Sequence, residues 1–185
     1  MKTLLISVLC FMSLNLLAQE LKVEPLYSFE KTYRIEPEPA RYVTRTYLGV
    51  RATYGVPILA GEFEVAQSTD SDTFPADNRE VDYKTYRAML GLRTSPFRTQ
   101  YVGAYFRAGI RAKKEERTIK ENNVTTTEED GIIIDPYAGA GVTVGISDFF
   151  ALNAGATLVY NRNAPSGKKF DQQVNLSFSF KAGNR

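Results

Sequence analysis

The chain has no histidine and no tryptophan among its 185 residues, and its one cysteine is Cys10. Because histidine is the commonest general base and a frequent metal ligand, its absence excludes Ser-His-Asp triads, Cys-His pairs and histidine metal sites. A single cysteine excludes an intramolecular disulfide. We therefore expect no catalytic, cofactor or metal site, and we expect a protein that is not an enzyme.

The chain also lacks an excess of charge of one sign. Its 23 basic and 21 acidic residues leave a net charge of +2, which is too small a bias to indicate nucleic acid as a partner. Yet 43% of the residues are hydrophobic and 12% are aromatic, unlike the composition of a disordered chain. The length and composition therefore predict one folded domain.

Residues 1–18 have the pattern of a secretory signal peptide. Lys2 gives a basic start, residues 4–17 form an apolar run, and Ala18 is a small residue at the expected cleavage point. The alternative is an uncleaved membrane anchor, but the run is shorter than the roughly 20 residues that a spanning helix needs. We expect cleavage after Ala18, leaving a single mature domain of residues 19–185.

A period of two runs through the rest of the sequence. In residues 48–56, Leu48 and Val50 alternate with Gly49 and Arg51, which is the pattern of a strand with one apolar and one polar face. The same alternation recurs in residues 59–66, 86–93, 102–111, 137–146, 152–161 and 173–180. No helical period is sustained, so the sequence predicts an all-β domain.

An additional strand would close the sheet. Tight turns near Gly55, Pro96 and Asp148 alternate with long polar loops at residues 68–78, 114–130 and 162–169. Because both termini of a closed sheet meet at the short-turn end, we predict a first strand within residues 26–35. Lys31 falls on its apolar face, and the alternative is that residues 19–40 form a tail or plug. The predicted fold is an eight-stranded, antiparallel, up-and-down β-barrel.

The polar face of these strands combines charged side chains with many glycines. In a narrow barrel, small residues leave room for long side chains from the opposite wall, so we expect this face inside. The apolar face would then contact lipid, as in a transmembrane barrel. The alternative is a soluble, lipocalin-like barrel with its apolar face inside. The predicted polar network of the lumen, with a structural role, comprises Arg51, Glu62, Glu64, Arg87, Arg93, Arg107, Arg111 and Asp135.

The last predicted strand alternates strictly and ends on an aromatic residue. Its apolar positions are Val174, Leu176, Phe178 and Phe180. This pattern resembles the insertion signal of the small eight-stranded outer-membrane β-barrels of Gram-negative bacteria, the group that includes OmpX and the barrel of OmpA. Residues 181–185 follow Phe180 here, whereas the aromatic residue is usually last in that group. The resemblance implies an outer-membrane location, a monomer, and outer-membrane lipid and the barrel-assembly machinery as partners.

These observations predict a non-enzymatic outer-membrane barrel with a structural or surface-contact, adhesin-like role. An extracellular ligand or surface would bind through the long extracellular loops. Since inward arginines outnumber inward acids on the predicted strands, one alternative is a narrow, anion-leaning, porin-like pore. The other alternative is a soluble periplasmic or secreted barrel that binds an apolar ligand.

Overall fold

The computed structural model describes residues 20–35, 40–56, 58–74, 79–99, 101–121 and 124–182. These residues form nine β-strands: β1 (Glu20–Arg34), β2 (Arg41–Val56), β3 (Leu59–Phe74), β4 (Arg79–Arg98), β5 (Val102–Glu121), β6 (Val124–Glu129), β7 (Ile133–Gly145), β8 (Phe150–Tyr160) and β9 (Phe170–Ala182). They include no helix that is long and apolar enough to span a membrane. The predicted signal peptide, residues 1–18, lies outside the described part of the chain.

Eight of the nine strands close into one antiparallel ring. Ring neighbours pair in the order β1, β2, β3, β4, β5, β7, β8 and β9, and β9 returns to pair with β1. Each ring strand therefore has a partner on both sides, which satisfies its backbone groups without water. β6 pairs with β5 alone. The predicted all-β, eight-stranded barrel is confirmed.

The outer surface of the ring is apolar and its interior is polar. Leu48, Phe63 and Leu90 point outwards and are 64%, 50% and 59% exposed. Arg51 and Glu64 are buried inside the ring. In a water-soluble barrel this arrangement would be reversed, because a large apolar surface needs a cover of lipid or protein. The fold is that of a transmembrane barrel, and the lipocalin-like alternative is wrong.

The first strand is longer than the sequence indicated. It begins at Glu20, six residues before the predicted range of 26–35, and it pairs with both β2 and β9. Proline has no backbone N–H to donate, and the ladder between β1 and β9 skips Glu24 and Pro25. The predicted strand began only at residue 26, directly after this proline. The alternative of a tail or plug is wrong for the described residues 20–34.

Two of the three predicted loops are largely strands. β3 continues to Phe74 and β5 continues to Glu121, so residues 68–74 and 114–121 are paired rather than looped. The chain then returns as β6, which pairs with the outer end of β5. Only the predicted loop at residues 162–169 contains no strand among its described residues.

We call residues 68–74, 79–86, 114–121 and 124–129 the projecting sheet. The ladder between β2 and β3 ends at the pair Leu48 and Gln67, and the ladder between β5 and β7 ends at Lys113 and Ile133. Beyond those pairs, the backbones of the four outer segments pair only with one another, except that Tyr86 pairs with Gln67. The sheet therefore extends the barrel wall at the end opposite to Glu20.

The predicted turn near Pro96 lies inside β4. The register between β4 and β5 shifts between Thr94 and Phe97, which marks a β-bulge around the proline. A bulge accommodates proline because one residue of the strand is left without its ladder partner. The reversal into β5 comes later, where the Thr99 N–H donates to the carbonyl of Val102 at 2.8 Å.

Candidate functional site

The barrel interior holds the side chains that the sequence placed in the lumen. Strand alternation directs every second residue inwards, and all eight predicted side chains are buried there: Arg51, Glu62, Glu64, Arg87, Arg93, Arg107, Arg111 and Asp135. They come from β2, β3, β4, β5 and β7, so the network joins strands across the ring.

One cluster centres on Arg51. Its Nη2 lies 2.8 Å from Oε2 of Glu64, and its Nη1 lies 3.3 Å from Oε2 of Glu24. Arg107 approaches from β5 and brings Nη2 to 2.8 Å from Glu62 Oε1 and 3.2 Å from Glu64 Oε2. Two guanidinium groups thus share three carboxylates, which offsets the cost of removing these charges from water.

A second cluster centres on Arg111. Its Nη1 lies 3.0 Å from Glu30, and its Nη2 lies 3.0 Å from both Asp135 and Asp171. The hydroxyl of Thr32 donates to Asp171 at 2.6 Å. Arg111 on β5 is thereby connected to β1, β7 and β9, across the full width of the ring.

Arg87 connects the two clusters. Its Nη2 lies 2.8 Å from Glu64 of the first cluster, and its Nη1 lies 3.2 Å from Glu30 of the second. At the end of the barrel near β1 Glu20, Arg93 Nη1 lies 3.0 Å from Glu24. The ion pairs therefore run continuously along the barrel axis.

Tyrosine rings fill the space that glycines leave open. A Cβ at Gly141 or Gly155 would collide with Tyr105, and one at Gly91 would collide with the hydroxyl of Tyr137. A Cβ at Gly141 or Gly91 would also collide with a backbone carbonyl of a neighbouring strand, so these glycines allow close backbone approach as well as room for a tyrosine. This packing matches the expected role of small residues inside a narrow barrel.

Sequence reasoning missed three interior acids. Glu24 precedes the predicted first strand, Glu115 lies in a predicted loop, and Asp171 precedes the predicted last strand, yet all three are buried. Strand alternation could have identified them, because each lies an even number of residues from an inward residue of the same strand. Glu115, for example, is four residues from Arg111.

These acids remove the excess of arginine that had indicated an anion-leaning lumen. Among the described residues, the buried acids are Glu24, Glu30, Glu62, Glu64, Glu115, Asp135 and Asp171, and the buried arginines are Arg45, Arg51, Arg87, Arg93, Arg107 and Arg111. The half-buried Arg34 and Lys113 also contact interior acids, Glu115 and Glu30 respectively, so the interior charges are close to balance. Cavities of about 330 Å³ and 340 Å³ open at the two ends of the barrel, and the ion-pair network reaches both of them, with Arg93 lining the first and Arg111 lining the second.

The projecting sheet carries its own exposed ion pairs. Lys120 Nζ donates to Asp82 Oδ2 at 2.7 Å, and this hydrogen bond lowers the pKa of Asp82 and raises that of Lys120. Lys114 Nζ lies 2.7 Å from Glu129. Apart from the buried Glu115, acidic residues outnumber basic ones in this sheet, with Asp70, Asp72, Glu80, Asp82, Glu116, Glu121, Glu128 and Glu129 against Arg79, Lys84, Lys114, Arg117 and Lys120. Every residue of β6 is exposed.

The predicted insertion-signal residues lie on the outer surface of β9. Val174, Leu176, Phe178 and Phe180 are each about half exposed. The Phe150 ring of β8 lies 6.0 Å from the Phe178 ring and 5.4 Å from the Phe180 ring, measured between centroids. These side chains form part of the apolar surface where β9 completes the ring.

Solved structures with the same fold are small outer-membrane barrels. Ail, the attachment invasion locus protein of Yersinia pestis, solved with the heparin analogue sucrose octasulfate, aligns with a TM-score of 0.61 and 14% identity over 89% of this chain and 99% of its own. Neisserial surface protein A aligns with a TM-score of 0.62 and 12% identity over 89% of this chain and 97% of its own.

A third such structure is OprG of Pseudomonas aeruginosa, with a TM-score of 0.58 and 10% identity over 90% of this chain and 97% of its own. No protein-family model matches the sequence, and no curated protein matches it. The likeness therefore lies in the fold. This chain has the fold of the small eight-stranded outer-membrane β-barrels, as the resemblance in its sequence implied.

Proposed function

We propose that this protein is a non-enzymatic outer-membrane barrel that makes contacts at the cell surface through its projecting sheet. The main support for this proposal is that β3, β4, β5 and β6 continue past the closed ring as an ordered, paired sheet. A barrel with no role outside the membrane would not need this extension. The surface role belongs to this sheet more than to the long polar loops expected from the sequence.

The topology supports an outward orientation of the projecting sheet. Outer-membrane barrels place their termini and short turns on the periplasmic side and their longer connections outside the cell. β1 and β9 here bring both ends of the described chain to the end opposite to the projecting sheet. Residues 1–18 act as a cleaved signal peptide in this proposal, and the barrel-assembly machinery recognises the outward side chains Val174, Leu176, Phe178 and Phe180.

The proposed contact is with a protein, through strand addition at β6. β6 pairs on one side with β5, and its other edge is free of any described strand. Such an edge can accept an extended segment through backbone hydrogen bonds. The excess of acidic residues in the projecting sheet disfavours a sulfated polyanion like the one bound to Ail.

The interior supports a structural role in this proposal. Its arginines and carboxylates pair across the ring, with distances of 2.8 Å for Arg51 and Glu64 and 3.0 Å for Arg111 and Asp135. An eight-stranded barrel is just wide enough for side chains to fill it. Paired charges and tyrosine side chains stabilise the closed barrel. The barrel is a monomer that supports the projecting sheet.

Adherence of intact cells tests this proposal. Cells that produce the parent protein, or a variant in which a two-residue turn replaces residues 117–129, are applied to surfaces coated with fibronectin, collagen, mucin or heparin. We expect the parent to adhere to at least one protein coating and the trimmed variant to lose that adherence. A matched control shortens residues 164–167, which lie outside the projecting sheet, and should adhere like the parent.

Equal adherence of the parent and the trimmed variant would overturn the proposal, as would adherence no better than that of cells without the protein. Binding that occurs only on heparin would favour a polyanion and overturn the assignment of a protein partner. Gel mobility of unboiled samples checks that each variant still forms a closed barrel.

A further inference from the structure

Lys31 lies on the apolar outer surface of the barrel. It is an outward residue of β1, two positions after Phe29, and its side chain is exposed. A lysine on the lipid-facing side of a barrel is unfavourable near the membrane centre and tolerated only towards the interface. We therefore expect the Lys31 amine to lie near the membrane interface and to interact with a neighbouring group there.

A turn brings two more lysines to the same place. Gly167 has a φ of +83°, a left-handed conformation that favours glycine, and the turn carries Lys168 over the outer face of β1. Lys168 Nζ lies 3.7 Å from the centroid of the Tyr33 ring and 5.7 Å from that of Tyr42. Lys31 Nζ lies 4.8 Å from the centroid of the same Tyr42 ring.

Lys31, Tyr42 and Lys168 line an open groove of about 500 Å³. Lys31, Lys168 and Lys169 supply amines, while Tyr42 and Phe170 supply apolar surface. We call this groove the lysine groove. Tyr33 and Tyr42 pack edge to face at 5.2 Å, and Tyr160 and Phe170 do so at 5.7 Å. Such aromatic rings at strand ends mark the membrane interface in barrels.

The amines of the lysine groove have no carboxylate within salt-bridge distance in the described ranges, which lack residues 36–39. Lys169 Nζ instead donates to the backbone carbonyl of Arg162 at 2.9 Å. By contrast, Lys114 and Lys120 on the projecting sheet each lie 2.7 Å from an acid. The groove thus concentrates positive charge that the described part of the protein does not neutralise.

We propose that the lysine groove binds the phosphate headgroup of a lipid in the outer leaflet of the membrane. This inference rests on the outer-membrane location proposed above. Ammonium groups bind phosphate as compact positive charges, and basic pockets at the membrane surface gain affinity from each lysine. The rings of Tyr42 and Phe170 contact the apolar part of the same lipid, which a soluble phosphate would lack.

Lipid retention by the folded, full-length barrel tests the proposal. Barrels in neutral detergent are mixed with phosphatidic acid or phosphatidylcholine, and native mass spectrometry measures the bound lipid. We expect phosphatidic acid to bind to the parent in preference to phosphatidylcholine, whose headgroup carries its own ammonium. The variant K31Q/K168Q/K169Q should bind phosphatidic acid roughly a hundredfold more weakly.

The matched control replaces three lysines of the projecting sheet, as K84Q/K114Q/K120Q, and should bind phosphatidic acid like the parent. If the triple groove variant fails to fold, the variant K168Q/K169Q leaves β1 intact and should lose roughly tenfold or more in affinity. The variant K31R should retain binding, because arginine keeps the charge.

Equal retention of the two lipids by the parent would overturn the proposal, as would unchanged binding by the groove variants or an equal loss in the control. Inorganic phosphate is also tested as a competitor. Competition by phosphate at concentrations similar to those of the lipid would overturn the proposal as well, because it would show a general anion site. The trimmed variant, which lacks residues 117–129, keeps the lysine groove, so the lipid assay can succeed even where the adherence assay fails.

Discussion

Arg51 and Glu64 face each other in the register of β2 and β3, and both side chains are fully buried in the barrel. The Nε and Nη2 of Arg51 donate to Oε2 of Glu64 at 3.0 Å and 2.8 Å. Glu64 also contacts Arg87 and Arg107. One carboxylate therefore holds three guanidinium groups contributed by three strands.

The first prediction concerns this carboxylate. The variant E64Q should lower the free energy of unfolding by about 3 to 5 kcal/mol, because three buried guanidinium groups lose a shared negative charge. Urea unfolding of the barrel in detergent measures the change. The variant E129Q removes the acid of the exposed pair with Lys114 and should leave the unfolding curve unchanged. Equal stability of E64Q and the parent would mean that water reaches the interior charges.

The second prediction tests which face contacts lipid. Leu90 lies on the outer surface of β4 and is 59% exposed. The variant L90R should cost roughly 2 to 4 kcal/mol of folding free energy in lipid vesicles, because the charge would enter the apolar part of the bilayer. The variant K84R, on the same face of the projecting sheet, is the control and should fold like the parent. An undiminished stability of L90R would contradict the assigned faces.

The third prediction concerns the packing of the Tyr105 side chain against the glycines of the barrel wall. The variant G155A should lower stability by about 1 to 3 kcal/mol, since its methyl group would collide with the Tyr105 hydroxyl, the nearest atom to an added Cβ there. In the double variant G155A/Y105F, which lacks that hydroxyl, the added methyl should cost less than it does beside the intact tyrosine. Gly131 has nothing within 4 Å of an added Cβ, so G131A should be neutral. Additive effects of G155A and Y105F would rule out the contact.

Much of the barrel could be predicted from the sequence, because apolar and polar residues must alternate along a strand that has one face in lipid. The pattern located the eight interior residues from Arg51 to Asp135 and the outward column from Val174 to Phe180. It failed where both faces of a strand are polar. Outside the membrane, Lys114 and Glu116 face outwards and Glu115 and Arg117 face inwards, so the continuation of β5 has no apolar period to detect.

The same reasoning could not find interactions that depend on the closure of the ring. The pairing of Arg111 with Glu30 and Asp171 joins residues far apart in sequence, and only the register around the ring brings them together. Lys31 violated the apolar pattern of β1, and its neighbour Lys168 comes from the turn before β9. No spacing along the chain relates these two residues.

The fourth prediction follows from the pairing of the projecting sheet. Residues 114–121 pair with β4, and residues 116–121 also pair with β6. Trypsin should therefore cleave the folded barrel after Arg162, Lys168 or Lys169, where no strand forms, before it cleaves after Arg117 or Lys120. Mass spectrometry of the first fragments identifies the sites. Early cleavage after Arg117 would instead support the long polar loop at residues 114–130 that the sequence predicted.

The most direct test of the account is the labelling of single cysteines on intact cells. The only native cysteine, Cys10, lies in the proposed signal peptide, so the mature barrel offers no background. The variant T126C places a thiol on exposed β6, and S147C places one in the turn at the opposite end. A membrane-impermeant maleimide should label T126C on unbroken cells and S147C only after permeabilisation. Labelling of S147C but not T126C on unbroken cells would contradict the surface role, and labelling of neither would contradict the transmembrane topology.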